Sequence, residues 1–320
     1  MSDQITLSAP VTDDLIGQRL DQAVSKLFPE YSRSRLQGWI KDGSLTVNGE
    51  VRRPRDKLFG GETLALNATL ESIEHHKPQD IPLDVVYEDD AIIVINKPAG
   101  LVVHPAAGHH DGTLLNALLH HCPDIAQVPR AGIIHRLDMD TTGLMVVAKT
   151  IPAQTELVTQ LQSREMGREY EAIVHKVMTG GGTVDEPMGR HTKNRQKMAV
   201  VGVGKEAITH YRVLEKFRAH THVRLKLETG RTHQIRVHMS HIHYPLVGDQ
   251  LYGGRFRLPK GISDDLLEAL RGFRRQALHA KKLELWHPET GELVSWEIDL
   301  PQDIQHLLTL LKADKEQVEV

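Results

Sequence analysis

The sequence predicts an α+β protein in two parts, a small α/β module followed by a larger domain built on a mostly antiparallel, mixed β-sheet. Length gives the first indication, because 320 residues at roughly 150 per domain suggest two domains and leave ample chain for a core. The second is a change of period: helical spacing and turn signals fill the first 70 residues, and apolar segments of strand length dominate after residue 82. The third is the polar stretch between them, residues 67–81, which contains Pro78 and reads as a linker. These observations place the domains at 1–70 and 82–320, with 71–81 joining them.

In the amino-terminal module, Leu20, Ala23, Val24 and Leu27 follow the i, i+3, i+4, i+7 spacing of one helix face, and Pro29 ends the pattern. A second helix begins at YSRSRLQGWI, where Ser32 or Ser34 can cap it and Leu36, Trp39 and Ile40 form the apolar stripe. Its polar face carries Arg33 and Arg35. SLTVNGEVRRP reads as a β-hairpin, because Asn48 and Gly49 tolerate the positive φ of a tight turn. GGETLAL adds a turn and a strand.

Beyond the linker, Pro82 to Val86 and Ala91 to Ile95 read as strands, with turn chemistry at Asn96-Lys97-Pro98-Ala99-Gly100. Thr113 to His121 has helical spacing, Gly132 to Lys149 reads as strand, turn, strand, and Gln154 to Arg164 as a helix. Tyr170 to Val177, His210 to Leu214 and Val223 to Glu228 alternate, and LELWHPETGELVSWEI is a hairpin across Glu289 to Gly291.

Composition excludes several classes. With 40% hydrophobic and 25% charged residues the chain is ordinary for a folded protein. No stretch approaches the roughly 18 apolar residues of a membrane span, and MSDQITLSAP lacks the pattern of a secretory leader. The single cysteine, Cys122, cannot form an intramolecular disulfide, so a reducing, cytoplasmic location is expected. The net charge of −3 hides an asymmetry: residues 160–240 carry 15 Lys and Arg against 8 Asp and Glu. Such a segment suits a polyanion-binding face.

Two segments are dense in residues that do chemistry. In GIIHRLDMDTTGLMVVAK, Asp138 follows Arg136 at the end of an apolar run. A neighbouring cation keeps a carboxylate ionised, and an ionised aspartate can be a nucleophile. A plain surface pair of Arg136 and Asp138 is the alternative, and Asp140 is a competing acid better suited to capping the turn. In LETGRTHQIRVHMSHIHYPLVGD, Arg231 and Arg236 lie five apart after the turn glycine Gly230. They can bind phosphate or pair with a catalytic carboxylate, or form a solvated basic face.

The amino-terminal order of helix, Arg-bearing helix and hairpin resembles the S4 RNA-binding domain. The resemblance rests on Arg19-Leu20-Asp21, Ser32-Arg33-Ser34-Arg35, Gly43 and Val47-Asn48-Gly49, with Gly61-Glu62 where that family has Gly-Asp. The two dense segments together resemble the RluA-type family of RNA pseudouridine synthases. His135-Arg136-Leu137-Asp138 with Thr141-Thr142-Gly143 is similar to the motif that holds the family's nucleophilic aspartate; Thr142 stands where many members have serine. Arg168-Glu169-Tyr170 is similar to the motif whose tyrosine stacks on the target uracil. Gly230 to Arg236 is similar to the motif whose last arginine pairs with the aspartate. Asn96-Lys97-Pro98, Leu101 to Pro105 and Leu278-His279-Ala280 also match, the first two as mainly structural segments.

The resemblance covers about residues 14 to 300. It implies Asp138, Tyr170 and Arg236 as catalytic residues, and Arg136, Arg231, Arg33 and Arg35 as RNA contacts. Because the isomerisation of uridine gains and loses no atom, no cofactor is implied. An S4 module joined to this catalytic domain is most similar to members that act on the large ribosomal subunit, which implies the helix 69 stem-loop of 23S rRNA as partner. A monomer is the default expectation.

Two other readings compete. His220 with His222, His241 with His243, and His233 with His238 have ligand-like spacings. Arg231 and Arg236 interleave the last pair, and no acidic or thiol ligand sits among them, so no metal is expected. A non-catalytic RNA-binding or ribosome-assembly protein would need the same basic face. Against it stands Asp138, since a carboxylate opposed to RNA phosphates is costly without a chemical task.

Overall fold

The computed structural model describes residues 3–29, 31, 33–70, 76–106, 108–194, 196–254 and 261–319. The chain divides into two compact units, Met1–His75 and His76–Val320.

The first unit contains β1 (Asp3–Pro10), α1 (Leu20–Leu27), α2 (Arg33–Asp42), β2 (Leu45–Val47) and β3 (Thr63–Leu70). Its antiparallel sheet has the order β1-β3-β2. Leu20, Ala23 and Val24 of α1 pack with Leu36 and Ile40 of α2 on Leu64 and Leu66 of β3, as the two helical stripes predict. Asn48 and Gly49 adopt φ of 52° and 80°, and Val47 and Glu50 exchange backbone hydrogen bonds across them. The turn is therefore present, but the expected hairpin stops there. Val51 is exposed, and β2 pairs instead with β3, whose Leu64, Leu66 and Ala68 supply the buried face that Val51-Arg52-Arg53 lacks. β1 has no counterpart in the sequence reading. The Arg35 guanidinium lies 5.9 Å from the centre of the Trp39 ring; Ser32, and the side chains of Arg33 and Ser34, lie outside the described residues.

The second unit is built on a nine-stranded mixed sheet. In chain order its elements are β4 (Val85–Glu88), β5 (Ile92–Lys97), α3 (Leu114–His121), β6 (Thr142–Ala148), α4 (Ile151–Ser163), β7 (Gly167–His175), β8 (Gly182–Asp185), a small separate ladder of β9 (Met188–Arg190) and β10 (Met198–Val200), β11 (Ile208–Lys216), β12 (His220–Leu227), α5 (Gln234–His241), α6 (Asp264–Gly272), β13 (Leu278–Trp286), β14 (Leu293–Glu297) and α7 (Gln302–Glu319). The strand order is β4-β5-β6-β13-β7-β12-β11-β8, with β14 also on β13. Among the described residues only β6 and β13 run parallel, Thr142 opposite His279 and Gly143 opposite Ala280.

Both faces of the sheet centre are covered, so β6 is buried at every position, which explains its unbroken apolar sequence. On one face, Ile93, Ile95, Met145, Val147 and Tyr170 join α3 and α5 residues. On the other, Leu144, Val146 and Leu283 pack under α4, and Ile173 packs with Leu266 of α6 and Ile304, Leu307 and Leu311 of α7. Among the described residues no helix is long and apolar enough to cross a membrane.

Two features of this sheet place the segment that holds Asp138. A β-carbon on Gly143 would lie 2.3 Å from the Ala280 carbonyl oxygen, so only glycine permits β6 to start beside β13. The expected strand from Gly132 is absent: Arg130, Ala131 and Gly132 all have positive φ, and Ile133 makes only an isolated bridge to Val147. This left-handed turn cannot propagate a ladder, and residues 133–141 form a loop instead.

Beside Tyr170 on β7, Glu171 faces the other side of the sheet. Its carboxylate is 2.7 Å from Arg224 Nη2 and 2.8 Å from His222 Nε2. Burial alone would raise its pKa, but His222 and Arg224 outweigh that and bring it down to about 2. The unfolded value is near 4.5, so the stabilisation is present above pH 4.5 and is lost as pH falls toward 2. This amounts to about 3 kcal/mol. Glu171→Gln should therefore flatten the acid limb of stability between pH 4.5 and 2, measured by urea denaturation at each pH. An unchanged acid limb would contradict the assignment.

Candidate active site

Asp138, Tyr170 and Arg236, far apart in sequence, line one cavity of about 560 Å³, and Arg136 and Arg231 line it too. Asp138 comes from the loop before β6, Tyr170 from β7 and Arg236 from the first turn of α5. Arg136 is exposed on the loop. Arg231 precedes α5, and its Nε donates to the Glu206 carbonyl oxygen at 2.9 Å.

The loop is held from beneath by Lys97. Its buried ammonium donates to three carbonyl oxygens, of Pro98 and Met139 at 2.8 Å and of Leu101 at 3.0 Å. Burial lowers its pKa to about 8 against the opposing pull of Asp140 and Asp138. Thr141 N–H donates to the Asp138 carbonyl, closing the turn, and Gln276 donates to the Thr141 hydroxyl at 3.0 Å. Thr142 Oγ1 lies 2.8 Å from His279 Nδ1 on β13. His135 Nε2 accepts the Val146 N–H at 3.1 Å, and burial, helped by the Arg168 charge, lowers its pKa to about 3. It is therefore a neutral anchor for the loop.

Asp138 Oδ2 accepts from Arg236 Nη1 at 2.9 Å. Arg236 is itself fixed by a residue the sequence reading did not single out. Its Nε and Nη2 donate to Asp249 Oδ2 and Oδ1 at 2.7 and 2.9 Å. The Asp249 side chain has no exposed surface, and its Oδ1 also accepts the N–H groups of Leu251 and Tyr252. Burial alone would raise the Asp249 pKa, but Arg236 and these N–H groups lower it; burial would lower the Arg236 pKa, but the two aspartates raise it. The Tyr252 ring lies 5.1 Å from the guanidinium carbon, in cation–π range.

Tyr252 also orients the other neighbour of Asp138. Its hydroxyl accepts the Met198 N–H at 2.9 Å and lies 2.8 Å from His233 Nδ1. This contact fixes the ring with its Nε2 3.8 Å from Asp138 Oδ1. Burial, with the Arg236 charge, lowers the His233 pKa despite Asp138, so this histidine is neutral near pH 7. Asp138 thus has one oxygen on a fixed cation and the other 3.8 Å from the ring of His233, and its side chain remains 17% exposed. Such a carboxylate is held in place and accessible, as a nucleophile or base must be. Tyr170 is 6% exposed; burial raises its pKa, so its hydroxyl stays protonated.

Sequence comparisons decide the family. The RNA pseudouridylate synthase family matches residues 91–241, and the S4 domain matches residues 18–64. "Ribosomal large subunit pseudouridine synthase D" of Pseudomonas aeruginosa is 66% identical over 316 residues, covering 99% of both chains. The proteins of that name from Yersinia pestis and Escherichia coli are 61% and 58% identical, covering 99% of this chain and 98% of theirs. The chain belongs to the RNA pseudouridine synthase family.

It is an RNA pseudouridine synthase of the RluA type with an S4 RNA-binding domain. Among solved structures, human RNA Pseudouridylate Synthase Domain Containing 4 is similar at 28% identity and a TM-score of 0.56, covering 71% of this chain and 92% of that one. Human RNA Pseudouridylate Synthase Domain Containing 1 is similar at 25% identity and a TM-score of 0.53, covering 73% and 96%.

The histidine pairs with ligand-like spacings do not converge. His220 lies beside His175 with the rings tilted and their centres 5.4 Å apart, His222 faces Glu171, and His238 lies between Thr209 and the Glu186 carbonyl. Among the described residues no group of three or more His, Cys, Asp or Glu is placed to hold a metal ion.

Lys97 offers a direct test of how the loop is held. Lys97→Met leaves three carbonyl groups without their donor, and hydrogen bonds to a charged group contribute about 1.5 to 3 kcal/mol each. Urea denaturation should show a loss of at least about 3 kcal/mol, with slower turnover. A loss below about 1 kcal/mol would show that the clamp is dispensable.

Proposed function

We propose that the chain isomerises specific uridines of large-subunit ribosomal RNA, in the helix 69 stem-loop of 23S rRNA, with Asp138 as the nucleophile. The observation that carries this reading is the Asp138–Arg236 pair at 2.9 Å, with Arg236 clamped by Asp249. The names of the 58–66% identical relatives support the choice of RNA.

Isomerisation breaks the bond from uracil N1 to ribose C1′, turns the base and joins C5 to the same carbon. The uridine first leaves its stack, at a cost of a few kcal/mol. Tyr170 stacks on the extruded base, which contributes about 1 to 3 kcal/mol. Arg136 and Arg231 contact the flanking phosphates, and Arg33 and Arg35 of the S4 unit contact RNA elsewhere. Asp138 attacks C1′ as a carboxylate. Arg236 holds that carboxylate aimed, and because two of its five N–H donors are already fixed on Asp249, the guanidinium cannot swing away to a phosphate.

Asp138→Asn should abolish turnover of a helix 69 RNA while leaving its binding intact, since an amide cannot be an anionic nucleophile. Arg236→Met should be nearly as slow, and Arg236→Lys intermediate, because lysine keeps the charge without the planar fork. Pseudouridine formation under single-turnover conditions reads all three. An Asp138→Asn rate within tenfold of the unmodified enzyme would overturn the reading. Loss of pseudouridine elsewhere in 23S rRNA, but not in helix 69, from cells lacking the chain would overturn the choice of target.

A further inference from the structure

Arg168 lies in the same cavity. It sits two residues before Tyr170 on β7, so both side chains face the same side of the sheet. It is only 8% exposed, its buried Nε has no hydrogen-bond partner, and among the described residues no carboxylate pairs with it. The acids beside it in sequence, Glu169 and Glu171, face the other side of the strand, where Arg224 binds both. In the cavity, Asp138 is taken by Arg236. A β-carbon on Gly230 would come within 2.8 Å of Arg168 Nη1, so the glycine before Arg231 leaves the space this guanidinium occupies.

A buried cation without a counter-ion is unfavourable unless the bound substrate supplies negative charge. Exposed Arg136 is suited to phosphate. Arg168 lies deeper, beside the ring of Tyr170 that on the reading above stacks on uracil. We propose that Arg168 receives the negative charge that the uracil ring acquires when its bond to ribose breaks. This rests on the assignment of the cavity as the uridine site.

In that step an Asp138 oxygen forms a bond to C1′ as the C1′–N1 bond breaks, and the electron pair stays on the ring as a uracil anion. The ring turns, C5 bonds to C1′ and displaces the Asp138 carboxylate. C5 then gives up its proton and N1 takes one, so no atom is gained or lost. The ring is neutral before cleavage and anionic after it, so a fixed cation there favours the transition state over the bound substrate.

The test compares Arg168→Gln and Arg168→Lys with the unmodified enzyme on two RNAs, one with uridine at the target and one with 5-fluorouridine. Fluorine withdraws electrons and stabilises the uracil anion, so cleavage leans less on the protein. On uridine, Arg168→Gln should slow the single-turnover rate about 10²- to 10³-fold, with RNA affinity changed less than about threefold. On 5-fluorouridine, read as its disappearance from the RNA, the deficit should shrink at least about tenfold. Arg168→Lys should show the same ordering with smaller deficits, and it decides the matter should Arg168→Gln fail to fold. Equal deficits on both RNAs would overturn the proposal. So would an unchanged rate with weaker binding and a salt slope lowered by about 0.7 to 0.9, the signature of a phosphate contact. An active Asp138→Asn would instead sink the site assignment, so the two failures are distinguishable.

Discussion

Asp249 has no exposed side-chain surface and grips Arg236 through two charge-assisted hydrogen bonds, so the guanidinium is fixed in the protein frame before any substrate arrives. Of the three N–H donors that remain, one on Nη1 goes to Asp138. The geometry of the site follows from this constraint. The loop of residues 133–141 has no ladder of its own to hold it. It is fixed at one end by Arg236 and from beneath by Lys97, with Gly143 allowing β6 to begin hard against β13. A freely rotating arginine beside a polyanion would exchange its carboxylate for phosphate; a bidentate clamp prevents that exchange.

The same accounting of charge separates the cations of the cavity. Arg236 is neutralised twice over, by Asp249 and Asp138. Arg136 is exposed and suited to phosphate, while Arg168 is buried and uncompensated. Sequence showed only that residues 160–240 are rich in Lys and Arg. Which cation is paired depends on strand alternation along β7 and on acids that lie far away in the chain.

The legible part of the site was the part written in contiguous segments. Asp138, Tyr170 and Arg236 each sit in a short run whose residue types fit one task, and all three line one cavity. Asp249 and Tyr252 escaped because they come from a loop between elements, after α5, where no period marks a single buried acid. The fold was legible where burial follows a period, as in α1, α2 and the β13–β14 hairpin, and where an apolar run of strand length is buried throughout, as in β6. It was misread at Asn48-Gly49, where a true turn leads into no second strand, and at Ile133-Ile134, where β-branched residues follow a left-handed turn. In both places a local signal was overruled by which distant strand offered a buried face.

If Asp249 acts on the chemistry only by fixing Arg236, the two residues form one unit, and a double-mutant cycle measures that directly. Single-turnover rates for Asp249→Asn, Arg236→Met and the double variant should show strong coupling, the double variant lying within about threefold of Arg236→Met alone. Losses that multiply would mean that Asp249 and Arg236 act independently, and the account of a clamped cation holding Asp138 would be wrong.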